Sequence, residues 1–105
     1  MHPDLTRPDR KTLRELATMA YARELDAALT DLHAQFMAWQ AKRIDGFALS
    51  EAIHQFHQGV ARELWSRYEH LDPGLVVRLA LERGLLRPAE VPAALQKKLG
   101  GSGPS

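Results

Sequence analysis

The residues best suited to chemistry lie in one segment, residues 50–68. Glu51 and His54 are three residues apart, so on a helix they would be surface neighbours. Helical di-iron carboxylate proteins use such a Glu-x-x-His step to bring two ligands to one metal. His57 lies three residues further on, and Glu24 could supply a carboxylate from a facing helix. One hypothesis is therefore a divalent-metal or iron site that supports metal-assisted or histidine acid–base catalysis, formed by Glu24, Glu51, His54 and His57.

Each of these residues also has a simpler structural interpretation. Glu51 suits the first turn of a helix, and His54 can be solvated. His57 lies on an apolar helix face, where a histidine is most often half-buried and hydrogen-bonded to a carboxylate or carbonyl. Phosphate loops, His-Glu-x-x-His and nucleophile elbows do not occur in the sequence. We therefore favour a protein that is not an enzyme and holds no cofactor, and the metal site is the alternative.

Aromatic and charged residues of the same segment indicate a protein interface instead. Trp65 and Tyr68 are three residues apart, and Trp, Tyr and Arg are enriched at binding hot spots. Their structural alternative is packing in a core or dimer, and for Glu63 it is a salt bridge with Arg67, four residues on. The predicted interaction residues are Arg62, Glu63, Trp65, Tyr68, Phe36 and Trp39.

A long helix is predicted first, because residues 8–42 contain neither Gly nor Pro beyond Pro8 and are rich in helix formers. Thr6 and Asp9 have the pattern of a capping box. One face carries apolar residues at three-four spacing: Leu25, Leu29, Leu32, Phe36 and Trp39. The helix would approach ~50 Å, and a single break is the alternative. A compact domain of this size cannot cover that length, so part of it should pack against another chain.

The next helix is predicted from Ser50, as its N-cap, to about His70. Asp45-Gly46 indicates the turn before it, with Ile44 and Phe47 packed at the corner. Gly59 interrupts the helix. The predicted apolar face contains Ile53, His57, Val60, Leu64 and Tyr68.

Two short helices follow in the prediction. Asp72-Pro73 starts the first, and Gly84 ends it. Arg87-Pro88 opens the last helix, which tolerates Pro92 in its first turn or so and continues to Leu99. No strand pattern occurs. The predicted fold is all-α, a long helical hairpin with a short C-terminal helical pair packed against it. Residues 1–99 form one domain, and residues 100–105 (GGSGPS) resemble a flexible linker of cloning origin.

Composition indicates which partners and which cellular compartment are expected. The 105 residues carry a net charge of +1 and no cysteine, which favours a reducing cytoplasm. No signal peptide or membrane span of ~20 apolar residues is expected. Nucleic acid is a disfavoured partner despite four basic residues near the start, Arg7, Arg10, Lys11 and Arg14. A helix-turn-helix over residues 75–86 and 89–99 is the less favoured alternative.

Residues 53–65, IHQFHQGVARELW, resemble a segment of small bacterial all-helical proteins of unknown function. Tyr68, the preceding Ala22-Arg23-Glu24-Leu25 and Phe36-x-x-Trp39 fit the same pattern. The resemblance implies joint action of His54, His57, Arg62, Glu63 and Tyr68, and an association with toxin–antitoxin or defence operons. The predicted function is a small cytoplasmic interaction or regulatory module, antitoxin-like, that acts as a homodimer or with a protein partner.

Overall fold

A computed structural model describes residues 5–99. Helix α1 runs without a break from Arg7 to Gln40, which confirms the predicted long helix. The Thr6 hydroxyl accepts a hydrogen bond from the Asp9 backbone N–H at 3.1 Å, and the Thr6 N–H donates to the Asp9 carboxylate at 3.0 Å. This capping box fixes the helix start, as predicted. Lys42, just after the helix, has a left-handed φ of 63° and helps to reverse the chain.

The second arm of the hairpin contains three helical segments: α2 (Gly46–Gln55), a π-helix (Phe56–Ala61) and α3 (Arg62–His70). It starts at Asp45, whose carboxylate accepts from the Ala48 N–H at 2.9 Å. The predictions that Ser50 caps this helix and that Glu51 lies in its first turn are therefore wrong, because the helix begins at Gly46 and the Asp45 carboxylate caps it. Phe47 is 88% exposed, so it does not pack at the corner as predicted.

The π-helix changes which residues of the second arm face inward. Leu49 and Leu64 are buried, and Phe56 and Ala61 are partly buried between them. The step from Phe56 to Ala61 is five residues, because a π turn holds one residue more than an α turn. The predicted apolar face assumed a regular α-helix, so part of it is wrong. Its members Ile53, His57 and Val60 are exposed.

The chain ends in a short helical pair. Helix α4 (Pro73–Arg83) is capped by the Asp72 carboxylate, which accepts from the Leu75 N–H at 3.1 Å. Gly84 closes the helix with a φ of 78°, a conformation that favours glycine.

The predicted last helix is divided into a 3-10 turn (Pro88–Glu90) and α5 (Ala93–Lys98). Pro92 does not continue the helix, because a proline disfavours helical backbone at the residue before it, and Val91 is extended. The six-residue α5 is much shorter than the predicted second helix of a helix-turn-helix. One of its two lysines, Lys98, is paired with Asp9 at 2.7 Å.

The hydrophobic core occupies only one end of the molecule. Three residues of α1 contribute to it, Leu13, Leu16 and Ala20. The other members come from α4 and the chain after it: Val77, Ala80, Leu86, Val91, Leu95 and Leu99. From residue 21 to residue 73, only Leu49 and Leu64 are buried. The C-terminal pair thus packs against the first half of α1, and the rest of the hairpin extends beyond it.

The molecule is elongated as a result. It measures 55 × 24 × 20 Å, and its radius of gyration is 17.6 Å. A compact chain of this length has a radius of gyration of about 13 Å. Helix α1 sets the long dimension. No helix among residues 5–99 combines the length and apolarity needed to span a bilayer.

The described helices confirm the all-α prediction of a long hairpin with a short C-terminal pair packed against it. The predicted tail, residues 100–105, and the first four residues of the predicted domain lie outside the described part.

Candidate functional site

Large apolar side chains are exposed along the part of the hairpin that the core does not reach. We call this set the distal surface, and its members are Leu29, Phe36, Met37, Trp39, Phe47, Ile53, Val60 and Trp65. All of them lie between residues 29 and 65. Single exposed apolar residues are ordinary on a monomer, but eight of them along one hairpin make this region the candidate interaction surface.

Helix α1 supplies four of the eight members of the distal surface, because its apolar stripe extends beyond the part of α1 that α4 covers. The stripe repeats every three or four residues, so its members share one face. Leu25 and Leu32 are half-buried in the hairpin, whereas Leu29, Phe36 and Trp39 remain exposed. Helix α4 packs against the start of α1. The hydrophobic core that they share extends along α1 no further than Ala20.

At the tip of the hairpin, Trp39 lies beside the start of α2. A Cβ atom built on Gly46 would be 4.0 Å from the indole Nε1 of Trp39. The indole is 44% exposed, and it lines an open depression with residues of the connecting turn. Trp39 and Gly46 therefore pack together without removing the indole from solvent.

On the second arm, a shallow groove brings together three of the residues singled out from the sequence. His57, Arg62 and Trp65 line it, with Gln58 and Ala61 between them. Trp65 is 54% exposed, and its ring meets the His70 ring edge-to-face at 6.2 Å between centroids. His57 is exposed, so the expectation that it is half-buried is wrong. The extra residue of the π-helix turns it away from α1.

Tyr68, by contrast, is engaged within the chain. Its hydroxyl donates to the Glu24 carboxylate at 2.6 Å, and its ring stacks on Tyr21 at a centroid distance of 4.7 Å. Burial raises the pKa of the Tyr68 phenol, and the hydrogen bond to Glu24 raises it further. These contacts tie α3 to α1.

Glu24 also accepts hydrogen bonds from two arginines. Arg67 Nη1 lies 3.2 Å and Arg83 Nη2 lies 2.8 Å from its carboxylate oxygens. Burial alone would raise the pKa of Glu24, but the hydrogen bonds from Tyr68 and Arg83 and the arginine charges lower it. We call Glu24, Arg67, Tyr68 and Arg83 the Glu24 cluster. It joins α1, α3 and α4.

The predicted metal ligands are not brought together in one chain. The Glu24 carboxylate already receives these donors, and the Glu51 carboxylate accepts from Gln55 Nε2 at 2.6 Å. His54 and His57 are both exposed. Within residues 5–99, no group of three or more His, Cys, Asp or Glu side chains could hold a metal ion. The four residues therefore do not fit a resident metal in the single chain.

None of the long-range side-chain pairs was predicted from the sequence. Arg23 donates to both carboxylate oxygens of Glu90, at 2.8 and 2.6 Å, and to the Leu85 carbonyl at 2.7 Å. No local spacing could reveal this contact, because its partners are more than 60 residues apart. The Glu63–Arg67 salt bridge has helical spacing, and the structure confirms it at 3.5 Å.

The resemblance of residues 53–65 to small bacterial helical proteins stays a prediction, because comparisons with protein-family models, curated proteins and solved structures found no match to this chain.

Proposed function

We propose that this protein is a small interaction module that binds another protein surface through the distal surface. The observation that carries the proposal is the uneven burial along the hairpin. One end holds the core, and the other exposes eight large apolar side chains. A cytoplasmic location and a regulatory role of the antitoxin kind belong to the same proposal.

The energetics of the distal surface support this function. Fully burying a Trp side chain removes on the order of 150–250 Å² from water, at about 25 cal/mol per Å². Trp39 and Trp65 are each about half exposed. A partner that covers one of them would therefore gain about 2 kcal/mol from that side chain. Exposed tryptophans are typical anchors of binding hot spots, and Phe36 and Phe47 lie near Trp39 in the sequence.

The architecture separates stability from binding. The core and the Glu24 cluster orient the hairpin without using the exposed rings, apart from the local contacts of Trp39 with Gly46 and of Trp65 with His70. The near-neutral net charge of +1 gives no general attraction to nucleic acid. Apolar contact is thus the larger source of affinity for a partner.

The proposal is tested with Trp65→Ala. The association of the purified chain with itself is measured by analytical ultracentrifugation. Association with a different protein is measured by calorimetry, after a partner retained at fixed stoichiometry from a source-cell extract has been purified. We expect the dissociation constant of the complex that forms to rise about 30-fold, the equivalent of about 2 kcal/mol.

Glu82→Ala is the matched control, since Glu82 is exposed on α4, away from the distal surface. It should leave association unchanged. Trp39→Ala is tested in the same way, and the proposal fails if both tryptophan variants bind as tightly as the wild type. It also fails if the wild type associates neither with itself nor with any purified partner at ~100 μM, a concentration at which weak complexes would also form.

A further inference from the structure

We propose that the occupant of the distal surface is a second copy of this chain, docked antiparallel. In this arrangement α1 of one copy packs along α1 of the other, about a twofold axis near Leu32, and the two hairpins form a four-helix bundle. This inference rests on the proposed function and names its partner.

The first argument is the spacing of the stripe on α1. Its successive steps are four, three, four and three residues, which is the heptad pattern of a helix–helix seam. Leu25 lies seven residues before Leu32, and Trp39 lies seven residues after it. An antiparallel copy therefore brings Trp39 to the level of Leu25, while Leu25 and Leu32, which are half-buried against the second arm, lie at the border of the seam. Leu29 then lies close to Phe36 of the second copy.

The second argument is the size of the side chains. The stripe begins with leucines and ends with Phe36 and Trp39. Antiparallel docking pairs a large ring with a smaller side chain in each outer layer, which allows the seam to fill evenly. Parallel docking would put four aromatic rings at one end and only leucines at the other. The seam from Leu25 to Trp39 would be about 21 Å long.

The third argument is charge. The stripe's face continues toward the start of α1, where it carries four exposed cations, Arg7, Arg10, Lys11 and Arg14. Parallel docking would place eight cations side by side. Antiparallel docking places the two groups at opposite ends, because Arg14 lies eighteen residues, about 27 Å, from the axis at Leu32. Their separation then far exceeds the Debye length of about 8 Å.

The orientation is tested by engineered disulfides, because the natural sequence contains no cysteine. Leu29→Cys and Phe36→Cys are prepared separately and oxidised alone and as a mixture. In an antiparallel dimer of Leu29→Cys, the two thiols would be about 9 Å apart along the axis, too far to bridge. In the mixed dimer, the thiol of the Leu29→Cys chain would face the thiol of the Phe36→Cys chain. We expect the mixed disulfide to exceed either homodisulfide about tenfold.

A control and a second measurement keep the test independent of any damage from the substitutions. Glu82→Cys, on α4, reports disulfides that form by random collision. Circular dichroism of the reduced variants checks that each remains folded. Sedimentation equilibrium of the wild type should give twice the chain mass of 11.8 kDa.

Three outcomes overturn the inference. Homodisulfides that dominate in both single variants would establish a parallel dimer. Disulfide yields no higher than those of Glu82→Cys, with folded variants, would place the contact elsewhere. A wild type that remains a monomer at ~100 μM removes the second copy as the partner. In that last case the proposed function is judged separately, by the Trp65-dependent binding of a different protein.

Discussion

The Glu24 carboxylate accepts hydrogen bonds from α3 and α4, so a single acidic side chain on α1 holds three helices together. Its side chain is only 12% exposed, and its donors include two guanidinium groups. Charge-assisted hydrogen bonds are stronger than neutral ones. The Glu24 cluster therefore orients the three helices relative to one another just beyond the end of the apolar core.

The Tyr68 hydroxyl gives the cleanest test of the Glu24 cluster. Tyr68→Phe keeps the ring that stacks on Tyr21 and removes one donor to Glu24. We expect the free energy of unfolding to fall by about 1–2 kcal/mol, because the carboxylate loses a short hydrogen bond in a partly buried site. Chemical denaturation at pH 7 measures it. Tyr21→Phe is the control, since its hydroxyl lies outside this hydrogen-bond set. Equal effects of the two variants would contradict the assigned role.

The Arg23–Glu90 pair makes a prediction about acid stability. The hydrogen bonds from Arg23 and from the Arg87 backbone N–H lower the pKa of Glu90 to about 2. Because this folded-state pKa lies below the unfolded value of about 4.3, ionised Glu90 stabilises the fold above that pH. The contribution disappears as the pH falls toward 2.

Denaturant unfolding of wild type and Glu90→Gln, at intervals from pH 6 to pH 2.5, measures this contribution. The free energy of unfolding of the variant should depend less steeply on pH below about 4.3. Some slope should remain, because the pKa values of Asp9 and Glu24 are also lowered. An unchanged slope in Glu90→Gln would rule out the pair as an acid-sensitive contact.

At the scale of the helices, local signals predicted three of the caps correctly, although Ser50 was predicted as a cap in place of Asp45. The caps at Thr6, Asp72 and Gly84 follow from neighbouring backbone groups, and the sequence predicts each of them. The π-helix does not follow from such a signal, because its extra residue matters only when Leu49 and Leu64 both pack on α1. The inward face of the second arm therefore could not be read from α-helical spacing.

The π-helix itself can be tested by deletion. Removing Gly59 leaves one residue fewer between Leu49 and Leu64, which allows a regular α-helix with the same inward faces. We expect the helical circular dichroism signal to persist and the free energy of unfolding to change by less than about 1 kcal/mol.

The matched control deletes Ala27 from α1, which contains no wide turn to absorb the change. This deletion rotates the two halves of α1 relative to each other, and should cost more than about 2 kcal/mol. If both deletions destabilise the protein equally, the wide turn is not a removable insertion.

At the scale of the molecule, the long hairpin with its short C-terminal pair was predictable, but the division of the second arm and the position of the core were not. The sequence predicts a first helix too long for its cover, because a helix over residues 8–42 exceeds the span of a small domain. Which half would be covered depends on where α4 docks. That docking involves long-range contacts such as Arg83–Glu24, which no periodic pattern in the sequence predicts.

The division between core and distal surface predicts two classes of variant. Leu86→Ala, at a buried position, should lower the free energy of unfolding by about 2–4 kcal/mol. Phe47→Ser, at a position 88% exposed, should change it by less than about 0.5 kcal/mol. Denaturation at low micromolar concentration measures both without a contribution from assembly. A large loss of stability in Phe47→Ser would mean that the distal surface is part of the folding core.

The unequal burial along the hairpin also determines where the backbone opens. Residues 29–60 contain a single buried side chain, Leu49, so their amide hydrogens should exchange with solvent sooner than those of Leu13, Leu16 and Val77. A bound partner should slow this exchange at the residues that it covers. Ordering this part of the hairpin would offset part of the free energy that the apolar contacts contribute. The complex should therefore be reversible although it covers exposed tryptophan side chains.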